Sequence, residues 1–304
     1  MRYTEGLRDP RAARALAEGL RRELDPRRRY RIMEFCGGHT HTLCRYGIPG
    51  MLPANVELVH GPGCPVCVLP ISRVDQALQL AARPEVTLCT YGDMLRVPGR
   101  EGRSLAAARA GGADVRVVYS PSDALALARA RPERQVVFFA VGFETTTPPT
   151  AVVVRGAAAQ GLGNFSVLCN HVLTPPAIDA VLDGDAGLDG IIGPGHVCTV
   201  VGTGPLVAIA GARRVPIVVA GFEPLDLLQA IGMLVAQIEA GRSDVENAYT
   251  RSVRPEGNPK AMATVDEVME VRPRFALRGL GELPHAGLRI RPAWAAWDAE
   301  RRFE

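Results

Sequence analysis

Met33-Glu34-Phe35-Cys36-Gly37-Gly38-His39-Thr40-His41, followed a short way on by His60-Gly61-Pro62-Gly63-Cys64-Pro65-Val66-Cys67, decides how this chain is read. Each segment follows a short apolar run and breaks into Gly or Pro as it leaves that run, the pattern of a β-strand exit. Loops at strand exits are where open α/β sheets hold their ligands. Thiols and imidazoles gathered on such loops suit iron, zinc or thiol–disulfide chemistry, and suit magnesium or phosphate poorly. The expectation is a cysteine-lined cleft that handles a thiophilic metal or electrons.

Working outward, short β-branched runs at 31–36, 56–59, 86–91, 115–119, 136–141, 165–169, 190–192 and 216–220 read as strands. Ala/Leu-rich stretches at 72–82, 122–131, 149–160 and 225–240 read as helices. That alternation predicts βαβ units and mainly parallel sheet. Ser72 followed by Asp75 reads as a capping box, and Ser120-Pro121-Ser122 as a strand exit into a helix start. Gly61-Pro62-Gly63-Cys64 returns as Gly193-Pro194-Gly195-His196, and Cys36 before His39 is echoed at similar spacing by Cys169 before His171. Two similar α/β halves facing a cleft follow as an expectation. The division read from these signals is an N-terminal helical segment at 1–30, a first α/β domain at 31–120 with a return of 215–240, and a second at 121–214. From 241 to 304 a polar, Gly- and Pro-rich stretch ends in the helical spacing of Trp294, Trp297 and Arg301, a strap or small third region rather than another sheet.

A length of 304 residues fits about two domains, and 47% hydrophobic content is ordinary for a globular protein. The formal net charge is only +3, and Arg21-Arg22 and Arg27-Arg28-Arg29 read as a solvated face. No basic motif interleaved with aromatics points to nucleic acid. No apolar stretch is long enough to span a bilayer, and the charged first twenty residues lack a signal peptide's apolar middle, so the expected location is the cytoplasm. In a reducing compartment, seven cysteines argue for metal or redox work rather than a disulfide framework.

Cys64-Pro65-Val66-Cys67 is a C-x-x-C, either a dithiol pair or half of a tetrahedral metal site. No second C-x-x-C completes a zinc site, although Cys36 and a histidine remain as possible closers. Cys36 stands where a strand stops and a helix begins, and a helix N-terminus stabilises thiolate. His39 and His41, two apart, cannot share a helix face, so at most one of them points at Cys36. Cys44, Cys89, Cys169 and Cys198 lie in or beside apolar runs and read as small buried thiols, Cys44 as a core-facing helix residue. Gly142-Phe143-Glu144-Thr145-Thr146-Thr147 precedes a helix, where its carboxylate and hydroxyls either orient a ligand or only cap that helix. Gly221-Phe222-Glu223-Pro224 repeats the Gly-Phe-Glu signature. Neither a Walker A lysine motif nor a dinucleotide fingerprint is present.

Together these motifs resemble the signatures of the HypD family of [NiFe]-hydrogenase maturation factors. The resemblance extends through Asn247-Ala248-Tyr249-Thr250-Arg251, Gly257-Asn258, Arg278-Gly279-Leu280-Gly281 and Asp298-Ala299-Glu300-Arg301-Arg302-Phe303. It implies two Rossmann-like α/β domains with a third, and a scaffold on which iron receives cyanide and carbon monoxide, the Fe(CN)2CO moiety. The implied partners are a HypC-type chaperone and a HypE/HypF-type cyanide-delivery complex. Cys36 is the implied leading iron ligand, and Cys64 and Cys67 an essential redox-active or ligand pair. Gly37, Gly38, His39, His41, Gly61 and Gly63 would surround the bound group, and Glu144, Thr145 and Thr146 would line the cleft. The family also carries a [4Fe–4S] cluster on four cysteines beyond the Asp-Ala-Glu-x-x-Phe segment, whereas this sequence has no cysteine after Cys198. The rival reading is a thiol–disulfide oxidoreductase using Cys64 and Cys67, with Cys36 as resolving thiol. A third is a structural zinc protein.

Overall fold

Along the strand Gln135–Gly142, Val136, Phe138 and Ala140 pack into one apolar layer while Val137, Phe139 and Val141 pack into another. Side chains alternate across a strand, so a run that is apolar at every position is stable where both faces are covered. The computed structural model describes residues 5–184 and 186–304. Among them the strands are β1 (Tyr30–Glu34), β2 (Val56–His60), β3 (Val86–Thr90), β4 (Val115–Val117), β5 (Gln135–Gly142), β6 (Phe165–His171), β7 (Gly190–Pro194), β8 (Ile217–Ala220), β9 (Val245–Asn247), β10 (Met269–Val271), β11 (Arg274–Leu277), β12 (Gly281–Pro284) and β13 (Leu288–Ile290).

The described residues divide into two units. One comprises residues 5–64 with Ala177–Pro259 and is built on a five-stranded parallel sheet in the order β2-β1-β7-β8-β9. Its central strands β1, β7 and β8 are buried on both faces. Ile32, Ile192 and Val218 belong to one core, while Met33, Ile191, Ile217 and Val219 belong to the other. The helix Pro224–Glu239 covers the first face with Leu227, Leu228, Ile231, Leu234 and Val235. Each such side chain, fully buried, contributes roughly 2 kcal/mol. Local chemistry starts these helices as well as packing. Asp9 caps Pro10–Glu23 by accepting the Arg11 N–H at 2.7 Å, and Glu223 with Asp226 forms a capping box on Pro224–Glu239.

The other unit, Pro65–Pro176 with Lys260–Glu304, carries a four-stranded parallel sheet in the order β4-β3-β5-β6. Two antiparallel ribbons, β10 with β13 and β11 with β12, belong to it. Met269, Leu288 and Ile290 of the first ribbon enter the same core as Phe138 and Val167. No single helix among the described residues is long and apolar enough to cross a membrane.

All eight expected strands are present, with shifted ends, and so are the four expected helices. The units divide at Cys64/Pro65, Pro176/Ala177 and Pro259/Lys260. Non-local pairing decides this, because β7 hydrogen-bonds to β1 and so brings β8 and β9 into the sheet of β1 and β2 rather than that of β5 and β6. Several details differ. Residues 241–304 contain five short strands where an irregular or helical strap was expected. Both Gly-Pro-Gly exits belong to one sheet, whereas Cys36 and Cys169 belong to different ones, so the sequence echoes are not a structural repeat. The capping box at Ser72 does not form. The helix Ile71–Ala81 is preceded by Pro70 with no side-chain cap, and the Asp75 carboxylate accepts the Arg100 N–H at 2.8 Å instead. Ser120 does cap its helix as expected, reciprocally with Asp123.

Candidate functional site

The C-terminal edge of the five-stranded sheet concentrates the sequence motifs of its unit. β1 exits at Cys36, flanked in the sheet by β2, which exits at Gly61, and by β7, which runs through Pro194 into Gly195-His196. Cys36 has extended backbone and is the N-cap of the helix Gly37–Arg45, with Sγ accepting the Gly38 N–H at 3.3 Å. A thiol thus occupies the place usually taken by a Ser or Asp oxygen. Its Sγ also lies 3.6 Å from Nδ1 of His196. Burial pushes the Cys36 thiol up, opposed by the Gly38 and His39 amides and assisted by Glu34.

An aromatic group backs this thiol. His39 is fully buried and stacks on Phe222 with ring centroids 4.8 Å apart, and His196 meets the same ring at 5.5 Å. Burial holds His39 near a pKa of about 4, so its imidazole is neutral at ordinary pH. Nε2 lies 3.3 Å from the Ala220 carbonyl, while Nδ1, buried, has no hydrogen-bond partner among the described residues. Burial lowers His196 as well. Phe222 is held by the Thr42 hydroxyl, which donates to its carbonyl at 2.7 Å, and by Tyr249 packed edge-on at 6.2 Å. Behind it the buried Asp226 receives Arg251 through both carboxylate oxygens, one at 2.7 Å.

The two glycines before Cys64 permit the close approach of loops. A Cβ on Gly63 would lie 2.7 Å from Cα of Cys36, and one on Gly61 would lie 2.7 Å from the Glu34 carbonyl. Gly61 N–H donates to that same carbonyl at 2.8 Å, extending the β1–β2 pairing past the strand ends. Gly37 and Gly38 form the exposed first turn of the helix, and His41 is exposed on the face opposite His39. Cys44 is exposed too, contrary to the core-facing position expected, because the buried face of this short helix is taken by His39, Thr42 and Leu43.

Cys64 is half-buried and ends its unit. Cys67, exposed, sits on the helical turn Pro65–Val68 of the other. No disulfide joins cysteines among the described residues. Cys89, Cys169 and Cys198 are buried, as expected of small core thiols.

Glu144, Thr145 and Thr146 belong to the second unit, at the exit of β5. Glu144 is buried, and its oxygens accept the Thr174 N–H at 2.6 Å and the Thr174 hydroxyl at 2.8 Å. Desolvation outweighs those bonds and raises its pKa to about 7. Thr146 and Thr150 hydroxyls flank the two nitrogens of buried His171 at 3.3 and 3.0 Å, and burial keeps that ring near a pKa of about 4.

His196, Phe222 and Glu34 are site residues the sequence reading did not assign. For His196 the signal was its Gly-Pro-Gly prefix, the same that announces Cys64. Among the described residues no group of three or more His, Cys, Asp or Glu side chains is gathered for a metal ion. A [4Fe–4S] cluster, which takes four thiolates, does not fit this set. The unit containing Cys36 instead offers one thiol with an adjacent imidazole, a donor pair suited to a soft or borderline metal that brings its own further ligands.

The HypD family model, described as the hydrogenase formation hypA family, matches residues 11–304. The hydrogenase maturation factor HypD of Rhizobium leguminosarum bv. viciae is 56% identical over 310 residues, spanning 100% of this chain and 80% of the relative. That of Azotobacter vinelandii is 58% identical over 309 residues, spanning 100% of this chain and 82% of the relative. The Escherichia coli K12 protein of the same name is 46% identical over 309 residues, spanning 100% and 83%. With its cysteine, Gly-Pro-Gly and Gly-Phe-Glu motifs brought to strand exits and this similarity along its full length, the chain belongs to the HypD family of hydrogenase maturation factors.

Proposed function

We propose that this protein holds an iron ion as cargo through the Cys36 thiolate while cyanide and carbon monoxide are installed on it for [NiFe]-hydrogenase. The observation that carries the reading is the Cys36 thiol at a helix N-terminus, 3.6 Å from a half-buried His196 whose pKa burial lowers. Thiolate is a strong donor to an iron centre that binds carbon monoxide and cyanide, and amide N–H groups offset part of its negative charge. Few protein donors are needed when diatomic ligands occupy the remaining positions. The neutral aromatic surroundings of His39, Phe222 and Tyr249 limit competing water.

Cys64 and Cys67 serve in this reading as a redox pair or as further iron ligands, supported by their C-x-x-C spacing and by the exposure of Cys67. Gly61 and Gly63 support the placement of Cys64 because they bring its loop against Cys36. Thr145 and Thr146, both half-buried, line the surface that receives partners, with the buried Glu144 behind them on Thr174. A HypC-type chaperone shares the iron, a HypE/HypF-type complex delivers cyanide, and the setting is the cytoplasm. Protein purified with its chaperone should show infrared stretches of iron-bound cyanide and carbon monoxide. Iron-free protein with full disulfide-reductase activity dependent on Cys64 and Cys67 would replace this reading by thiol–disulfide exchange.

A further inference from the structure

We infer that Glu34 is a positioning residue for Cys36, its buried carboxylate joining Cys36, Thr40 and His60 into one unit. Glu34 Oε2 accepts the Cys36 N–H at 2.7 Å. The Thr40 hydroxyl donates to Oε1, and His60 Nδ1 lies 2.8 Å from the same oxygen. Only 1% of Glu34 is exposed, yet both its oxygens are satisfied. Three elements meet on this one side chain: the exit of β1, the helix Gly37–Arg45, and the last residue of β2.

The reason for such an arrangement lies in the helix start. In a capping box the side chain at the third helical position reaches back to the N–H of the cap residue. Here the cap is Cys36 and the third position is His39, whose ring is stacked on Phe222 and unable to reach back. Glu34, two residues before the cap, supplies the missing acceptor. With its N–H fixed from one side and its Sγ fixed by Gly38 N–H from the other, Cys36 keeps a single orientation. The carboxylate also selects the Nδ1–H form of His60 and leaves Nε2 as the lone-pair nitrogen, the second-shell pattern that orients an imidazole. The inference takes its functional weight from the reading of Cys36 as the iron thiolate. The thiol's placement is nevertheless measurable without iron, so failure of one leaves the other standing.

The test uses the full chain without added metal, following Cys36 alkylation by iodoacetamide with peptide mass spectrometry, and the His60 tautomer by nitrogen NMR. Val219→Ala, a change in the buried core of the same unit, serves as a control for general loosening. Glu34→Ala should expose Cys36 and speed its alkylation about tenfold beyond that control. In Glu34→Gln the amide oxygen still accepts the Cys36 N–H, so alkylation stays within about threefold of wild type. Its amide nitrogen, however, faces His60, which must change to the Nε2–H form. Equal alkylation in Glu34→Ala and Val219→Ala would overturn the inference. If the alanine variant fails to fold, Glu34→Gln decides alone: protected Cys36 with a switched His60 supports it, and an unchanged His60 tautomer or unprotected Cys36 overturns it.

Discussion

Cys36 Sγ and His196 Nδ1 stand 3.6 Å apart although 160 positions separate them in the chain. The contact exists because β7 lies next to β1 in the sheet, in register from Ile32 with Gly190 to Glu34 with Ile192, so their exits fall side by side. Parallel order thus converts two distant Gly-rich loops into one site, the general behaviour of open α/β sheets.

Thiol accessibility should separate the seven cysteines. Cys44 and Cys67 are exposed, whereas Cys89 and Cys169 are enclosed, with burial pushing their thiols up to about 12 and about 11. Native protein treated with iodoacetamide should label Cys44 and Cys67 first and Cys89 and Cys169 at least about a hundredfold more slowly. Labelling in the reverse order would contradict the packing described.

Gly63 and Gly37 should respond oppositely to alanine. Gly63→Ala forces a methyl to 2.7 Å from Cys36 Cα and should cost about 2 kcal/mol in urea unfolding. Gly37→Ala meets nothing within 4 Å and should hold or raise stability by roughly 0.5 kcal/mol, since alanine favours helix. Equal losses from both would mean that the loop does not press against Cys36.

Glu144 sets a pH dependence of unusual sign for a carboxyl group. Its folded pKa of about 7 lies above the ordinary 4.5, so the native state retains a proton that the unfolded state has lost. Below about pH 4.5 the group is protonated in both states and costs nothing. As pH climbs toward 7 the native state loses stability, by roughly 3 kcal/mol in the limit. Glu144→Gln should remove this slope: wild type should gain on the variant between about pH 8 and about pH 5 in urea midpoints. Parallel curves would show that Thr174 already compensates the buried charge.

The Asp226–Arg251 pair should behave as a buried ion pair broken from one side. Arg251→Ala leaves the Asp226 carboxylate, 2% exposed, without its cation and should cost about 3 kcal/mol. Adding Asp226→Asn in that background should recover about 1 kcal/mol or more, because the uncompensated charge is gone. A double variant no more stable than Arg251→Ala would place the loss in Arg251 packing over the Tyr249 ring instead.

The strands and the Cys36 helix start were legible because parallel strands buried on both faces read as continuous apolar runs. β5, from Gln135 to Gly142, is the plainest case. β9 to β13 were not, since three- and four-residue strands such as Arg274–Leu277 carry charge and show too few repeats for a period. Strand order also escaped the sequence, because nothing local in 190–192 records that β7 pairs with β1. His196 was hidden for the same reason: its partner Cys36 is contributed by another strand exit. Cys44 was misread because a helix of nine residues offers only a narrow buried face, already filled by His39, Thr42 and Leu43.

The central claim is that Cys36 holds iron. Its most direct test is iron content and infrared spectra of the full chain, co-purified with the proposed HypC-type chaperone, in wild type and in Cys36→Ser. Wild type should carry iron with cyanide and carbon monoxide bands, and the serine variant, folded by circular dichroism, should lose both. Iron and bands surviving undiminished in the serine variant would contradict the account.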